Sequence, residues 1–217
     1  MKKIIALLLV VVCAFALFAC TGTSTTHTPD NSGSEHTNTD NPGGTTPSTP
    51  AEKDVAPFTA AIAATNPQKQ VIVITLKPTG MTDTLTGTYT VTYQADNSAV
   101  IDYSYEQFNA IGEAEAKSTV EGQITRDASG NYSGSISGTA SAATAIKLNA
   151  EAAKEYATVE GNVLSAQIPA AQTEAVLGVA FDTDVNFVLV ISSGIVTSYS
   201  LVYTTAKGEV TVSAQYE

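Results

Sequence analysis

Residues 84–94, TLTGTYTVTYQ, alternate without a break between threonine and larger or apolar residues. Leu85, Gly87, Tyr89, Val91 and Tyr93 fall on one side, and Thr84, Thr86, Thr88, Thr90 and Thr92 on the other. A period of two suits a strand with one buried face and no helix of any kind. The run that follows, residues 99–108, puts Ile101, Tyr103 and Tyr105 on one face. An even loop between the runs would oppose Val91 to Asp102. A three-residue loop, Ala95 to Asn97, opposes Val91 to Ile101 and Tyr89 to Tyr103, and Asn97 tolerates the left-handed backbone such a loop needs.

The same pattern recurs along the chain. Residues 69–77, KQVIVITLK, read as a strand apolar on both faces. A hairpin turning at Asp127-Ala128-Ser129-Gly130 predicts Ile124 opposite Gly134, Gly122 opposite Ile136 and Val120 opposite Gly138. Large residues facing glycines let a sheet bend and leave room above it. Residues 140–148 continue as a weak strand. Gly161-Asn162 predicts Val159 opposite Leu164. Ser192-Ser193-Gly194 predicts Phe187 opposite Tyr199 and Val185 opposite Leu201, and Lys207-Gly208 turns the chain into a last strand through Tyr216. Helices are expected from Asp54 to Asn66-Pro67, with Val55, Phe58 and Ile62 on one face, near Ala150–Glu155, and from Pro169 to Leu177 with Gly178 as the stop. The expected fold is mainly β (α+β): a single antiparallel, strongly bent sheet or half-barrel of about 10–11 strands with two or three short helices.

The first 52 residues follow another logic. Lys2 and Lys3 precede a fifteen-residue apolar run, Ile4 to Phe18, which is too short for an ordinary membrane span and suits a signal peptide. Leu17-Phe18-Ala19-Cys20 resembles the lipobox of bacterial lipoproteins, although Phe18 is bulkier than the usual residue there. The resemblance implies cleavage after residue 19, a lipid on Cys20 and a protein anchored in the cell membrane, facing outward. Residues 20–52 are rich in Thr, Ser, Pro, Asn and Gly and show no apolar periodicity. Such a segment buries too little to offset its ordering entropy. As a tether of some thirty residues it reaches about 30 Å, and its composition permits O-glycosylation. The expected organisation is therefore a signal peptide (1–19), a lipidated tether (20–52) and a β-rich domain (53–217).

Composition narrows the chemistry. The chain carries 10 basic and 21 acidic residues, a net −11 that becomes −13 once Lys2 and Lys3 leave. Such a domain is repelled by nucleic acid and by anionic membrane surfaces, so the expected membrane contact is the lipid on Cys20. Cys13 lies in the leader, and both histidines, His27 and His36, lie in the tether. A domain without His or free Cys has no His-dependent triad, cysteine nucleophile or ordinary zinc site. No glycine-rich strand-to-helix loop is present to cradle a nucleotide. No cofactor and no metal is expected. Asp182-Thr183-Asp184 lacks the ligand spacing of a calcium loop, and Glu113 and Glu115 read as a solvated link. Asp102 and Glu106 lie on the face opposite the tyrosines, where a glycosidase-type acid pair is conceivable.

Taken together, the lipobox and tether, the first helix ending at Asn66-Pro67, the antiparallel run broken by short helices near Asn149–Glu155 and Pro169–Leu177, and the closing SLVYTTAKGEVTVSAQYE resemble small extracytoplasmic lipoproteins of Gram-positive bacteria with a LolA/LppX-like half-barrel. The resemblance covers residues 54–217 in element order only. It implies a bent sheet wrapped on helices, in a superfamily where some members hold lipids or acyl chains between the two. No family binding residue can be carried over. The expected function is a non-catalytic lipoprotein holding an apolar or amphiphilic, lipid-like ligand. Its candidate contacts are Tyr89, Val91, Ile101, Tyr103, Val120, Ile124 and Ile136, with Phe58 and Ile62 as lid or plug. A surface module with a filled core, binding a protein or glycan, is the alternative.

Overall fold

The computed structural model describes residues 54–108 and 117–217. Cys20, the leader, the tether, and Glu113 and Glu115 lie outside them. The described residues form one open, half-barrel-like antiparallel sheet of nine strands. The strands are β1 (Lys69–Pro78), β2 (Leu85–Tyr93), β3 (Ala99–Phe108), β4 (Lys117–Arg126), β5 (Ala157–Glu160), β6 (Val163–Ile168), β7 (Val185–Ser192), β8 (Ile195–Thr205) and β9 (Gly208–Tyr216). Four α-helices accompany them: α1 (Ala56–Ala64), α2 (Gly138–Ala145), α3 (Ala150–Ala153) and α4 (Thr173–Leu177), the last entered through a 3₁₀ turn at Ala170–Gln172.

The strand order is β4-β3-β2-β1-β9-β8-β7-β6-β5. Two meanders, β1 to β4 and β5 to β9, are therefore seamed by one non-sequential pairing of β1 with β9, in which Ile72 faces Ala214 and Ile74 faces Val212. Although β4 buries only Ile124 and β5 only Ala157, most strands bury one face. Ile72, Val91, Ile101, Leu164, Leu189 and Leu201 are fully enclosed there. The helices join the same apolar cluster through Val55 and Phe58 of the α1 region and Val176 and Leu177 of α4.

The first hairpin forms as its sequence predicts. Val91 pairs with Ile101 and Tyr89 with Tyr103, and Asn97 takes the left-handed conformation at φ 65°. Val159 pairs with Leu164, and Gly178 ends α4 at φ 70°.

Two expectations are corrected. Ser193 and Gly194 are both left-handed (φ 53° and 77°), so the β7–β8 turn has two residues, not three. That loop alone would put Phe187 across from the wrong face of β8. A bulge beyond Val190 restores the parity, so Phe187 pairs with Leu201, and Leu189 rather than Phe187 with Tyr199. The second correction concerns residues 131–148. Past Arg126 only one further bridge forms, Arg126 to Tyr132. Gly138 then begins a helix instead of facing Val120, and 140–148 form no strand. The Ser137 Oγ accepts the Ala140 N–H at 3.1 Å and caps that helix. Four alanines follow Ser137, and alanine has the highest intrinsic helix propensity. Among the described residues the sheet accordingly has nine strands rather than ten or eleven.

Helix α2 is bound at its C-terminal end. The Arg126 guanidinium donates to the Thr144 carbonyl at 2.8 Å, the Tyr132 hydroxyl meets the Thr144 hydroxyl at 2.7 Å, and the Tyr199 hydroxyl donates to the Ala143 carbonyl at 3.3 Å. Only Ala140, Ala143 and Thr144 of this helix are buried. Such small side chains bring the helix close to the sheet but fill little of the space beside it.

Candidate functional site

The core-side face of the first meander carries tyrosines opposite glycines, buried at Gly87 and Tyr89, half-buried at Tyr103 and Tyr105 and exposed at Gly122. Tyr103 pairs with Tyr89 on one side and with Gly122 on the other, while Tyr105 pairs with Gly87. The rings lean over the glycines. A Cβ on Gly122 would fall 2.6 Å from Tyr103 Cζ, and one on Gly87 would fall 3.0 Å from Tyr89 Cε2. Glycine at these positions is what allows the rings to lie down along the sheet. Tyr103 and Tyr105 stack with centroids 5.8 Å apart, and Tyr89 and Tyr103 are 6.4 Å apart.

Between these rings and the start of α2 lies a groove of about 280 Å³. Ile74, Leu76, Leu85, Ile136 and Val210 supply its apolar wall. Ser135, Ser137, Thr139 and Thr205 supply hydroxyls, and Glu106 and Lys207 also border it. The volume lies just below the usual range for ligand pockets, about 300–1,000 Å³, which suits one ring or one short chain.

Burial pushes the Tyr89 phenol above its ordinary value, partly offset by a hydrogen bond with the Ser137 hydroxyl. Tyr203 is pushed up by burial in the same way, with Thr139 as its partner. Both phenols stay protonated at neutral pH. Glu106 accepts the Thr86 N–H at 2.9 Å and lies 3.8 Å from Lys117.

The sequence-derived contacts divide. Tyr89, Tyr103 and Ile136 line the groove. Val91 and Ile101 are fully buried and Ile124 nearly so; they form core beside it. Val120 pairs with Tyr105 and does not line the groove. Phe58 belongs to the fully buried core. Ile62 borders a separate shallow depression with Leu148 and Asn149, so neither residue of α1 lies over the tyrosines. Sequence reasoning omitted Tyr105, although its spacing from Tyr103 placed it on the same face. It also omitted Leu76, Val210 and Thr139, which only the seam and the helix bring to the groove.

Asp102, Glu106 and Asp184, among the carboxylates weighed from the sequence, have structural partners. Asp102 accepts from the Gln123 amide at 2.6 Å, and Asp184 accepts the Ala170 N–H at 3.0 Å. Among the described residues no three His, Cys, Asp or Glu side chains gather as a metal site would require, and no helix is long and apolar enough to cross a membrane. No protein-family model matches the chain, and no curated protein matches it.

Proposed function

We propose that this chain is a membrane-anchored extracytoplasmic lipoprotein, tethered through a lipid on Cys20, whose domain binds a small amphiphile and performs no chemistry on it. The groove between Tyr89, Tyr103, Tyr105 and α2 carries the reading, because it joins an apolar wall to a rim of hydroxyls and one lysine. Its volume favours a single medium-length acyl chain over a two-chain lipid.

Native mass spectrometry of the full-length protein with decanoate tests the binding. One bound decanoate is expected, and Tyr103→Ala should lose it while the variant stays folded. Retention of decanoate by that variant would place the binding elsewhere. Anchoring is tested separately: Cys20→Ala should abolish metabolic palmitate labelling, and unchanged labelling would refute it. The enclosed Phe58 favours the second reading, a filled-core module whose partner docks on its surface. A clean apo mass together with glycan or protein binding would support that reading.

A further inference from the structure

A second cavity lies at the opposite end of α2 from the groove, and its chemistry is different. It measures about 680 Å³ and is bordered by Arg126, Tyr93, Tyr216, Asn66, Gln68, Gln94 and Asn97, with Pro67 and Ala95. Arg126 is the only arginine in the chain. In a protein of net charge −11, no Asp or Glu borders this cavity. Lys69 pairs with Glu217 and Lys117 with Glu106, whereas among the described residues no carboxylate forms an ion pair with Arg126.

The guanidinium is half-buried and fixed. One of its nitrogens donates to the Thr144 carbonyl at 2.8 Å, and burial with such an anchor reduces the ordering a ligand would have to impose. The Tyr93 hydroxyl is engaged by Gln70 at 2.7 Å, which leaves its ring to face the cavity. The four carboxamides offer donors and acceptors side by side. That pairing matches sugar hydroxyls, which both donate and accept, and the tyrosine rings suit the apolar faces of a pyranose. One cation balances one negative charge, not the two of a phosphate monoester.

We propose that this cavity binds an acidic sugar, a pyranose bearing one carboxylate, with Arg126 on the carboxylate and the Asn97, Gln94 and Gln68 amides and the Tyr216 hydroxyl on the sugar hydroxyls. The site is separate from the tyrosine groove and does not depend on that reading.

Because the chain has a single arginine, its Nε–Hε group gives one side-chain resonance, and that resonance reports the site directly. Titrating the ¹⁵N-labelled full-length protein with glucuronate should shift it, with a dissociation constant on the order of 1 mM. Methyl glucoside, acetate and glucose 6-phosphate should each bind at least about tenfold more weakly. Asn97→Gly keeps the left-handed turn and removes the amide, and Tyr216→Phe removes only a hydroxyl. Each should weaken glucuronate several-fold with the rest of the spectrum unchanged. Arg126→Lys should do the same with the fold preserved; if that variant unfolds, the Asn97→Gly and Tyr216→Phe results decide. An unmoved Arg126 resonance, equal shifts with acetate, equal binding of the phosphate, or unchanged affinity in both of those variants would overturn the proposal.

Discussion

In the second meander, large side chains meet large ones across the sheet: Leu164 faces Leu189, Leu189 faces Tyr199, and Phe187 faces Leu201. In the first meander, tyrosines meet glycines at Gly87 and Gly122. Both share one sheet and one alternation of faces. They differ in what the helices bring to the buried face. Helices α1 and α4 contribute Phe58, Val176 and Leu177 to the apolar cluster. Helix α2 contributes two alanines and a threonine. A period-two strand therefore specifies which residues face inward. Whether that face becomes solid core or open groove depends on the residue volumes set against it.

This difference can be broken at its strongest point first. Phe58→Ala should destabilise the domain by about 3–5 kcal/mol, the usual cost of emptying an enclosed aromatic site, measured by urea denaturation. A cost below about 1 kcal/mol would mean that the second meander is not the filled half. Gly208 lies where the halves join, paired with both Pro78 and Thr205. At φ 142°, with Pro78 Cα 2.8 Å from the position of an added Cβ, it has no space for a side chain, and the obstacle is backbone. Gly208→Ala should cost about 1–3 kcal/mol and loosen the seam, read as faster amide exchange in β1 and β9 than in β7.

Alkaline pH attacks the interior near the same seam. Burial holds the Tyr199 phenol well above its ordinary 10.0, while its hydroxyl bonds Gln70 and Ala143. An unfolded chain begins to release this proton at 10.0 and the folded chain does not. The contribution to stability is therefore complete below 10.0 and declines as the pH rises above it. Tyr199→Phe should flatten that decline while lowering stability at neutral pH by about 1 kcal/mol through lost hydrogen bonds. An unchanged alkaline slope would assign the effect to other tyrosines. The smallest effect on stability is expected in the groove. Gly122→Ala meets only the far end of the Tyr103 ring, which can swing aside, so its cost should be about 1 kcal/mol or less. Decanoate binding should fall more than the stability does. Equal binding in that variant would mean that the ring position is not what shapes the groove.

Where local chemistry sets the geometry, the fold was legible in the sequence. Asn97 and a three-residue loop determine one register, and Gly161-Asn162 and Gly178 mark their turn and stop. The β7–β8 register was not legible, because the bulge after Val190 has no residue of its own that announces it. Residues 131–148 misled because Ser, Ile and Gly alternate there as a weak strand would, although Ser137 and the alanines carried a helix signal. Half of the groove could be read from the Tyr89 and Tyr103 alternation. The remainder, Val210 and Thr139, comes from the β1–β9 pairing and from α2, which no local pattern encodes. Arg126 was visible as the single arginine of an acidic chain, but only the fold brings the ends of β1, β2, β4 and β9 around it.

The β1–β9 seam also bears on how the molecule assembles. Every other strand pair joins sequence neighbours, and those linked by short turns can zip as hairpins within microseconds. The seam joins groups as distant as Lys69 and Glu217, 148 residues apart, and closing a loop of that length costs about 4 kcal/mol of chain entropy. Rate-limiting closure at this junction is the expected kinetics. Until it occurs, β1 and β9 are both open edges, with Ile72, Ile74, Val210 and Val212 unprotected beside unpaired backbone. The strands at the centre of the finished sheet are thus the ones exposed to mispairing during folding, and the stretch most prone to aggregation is the one that native-state accessibility would rank safest.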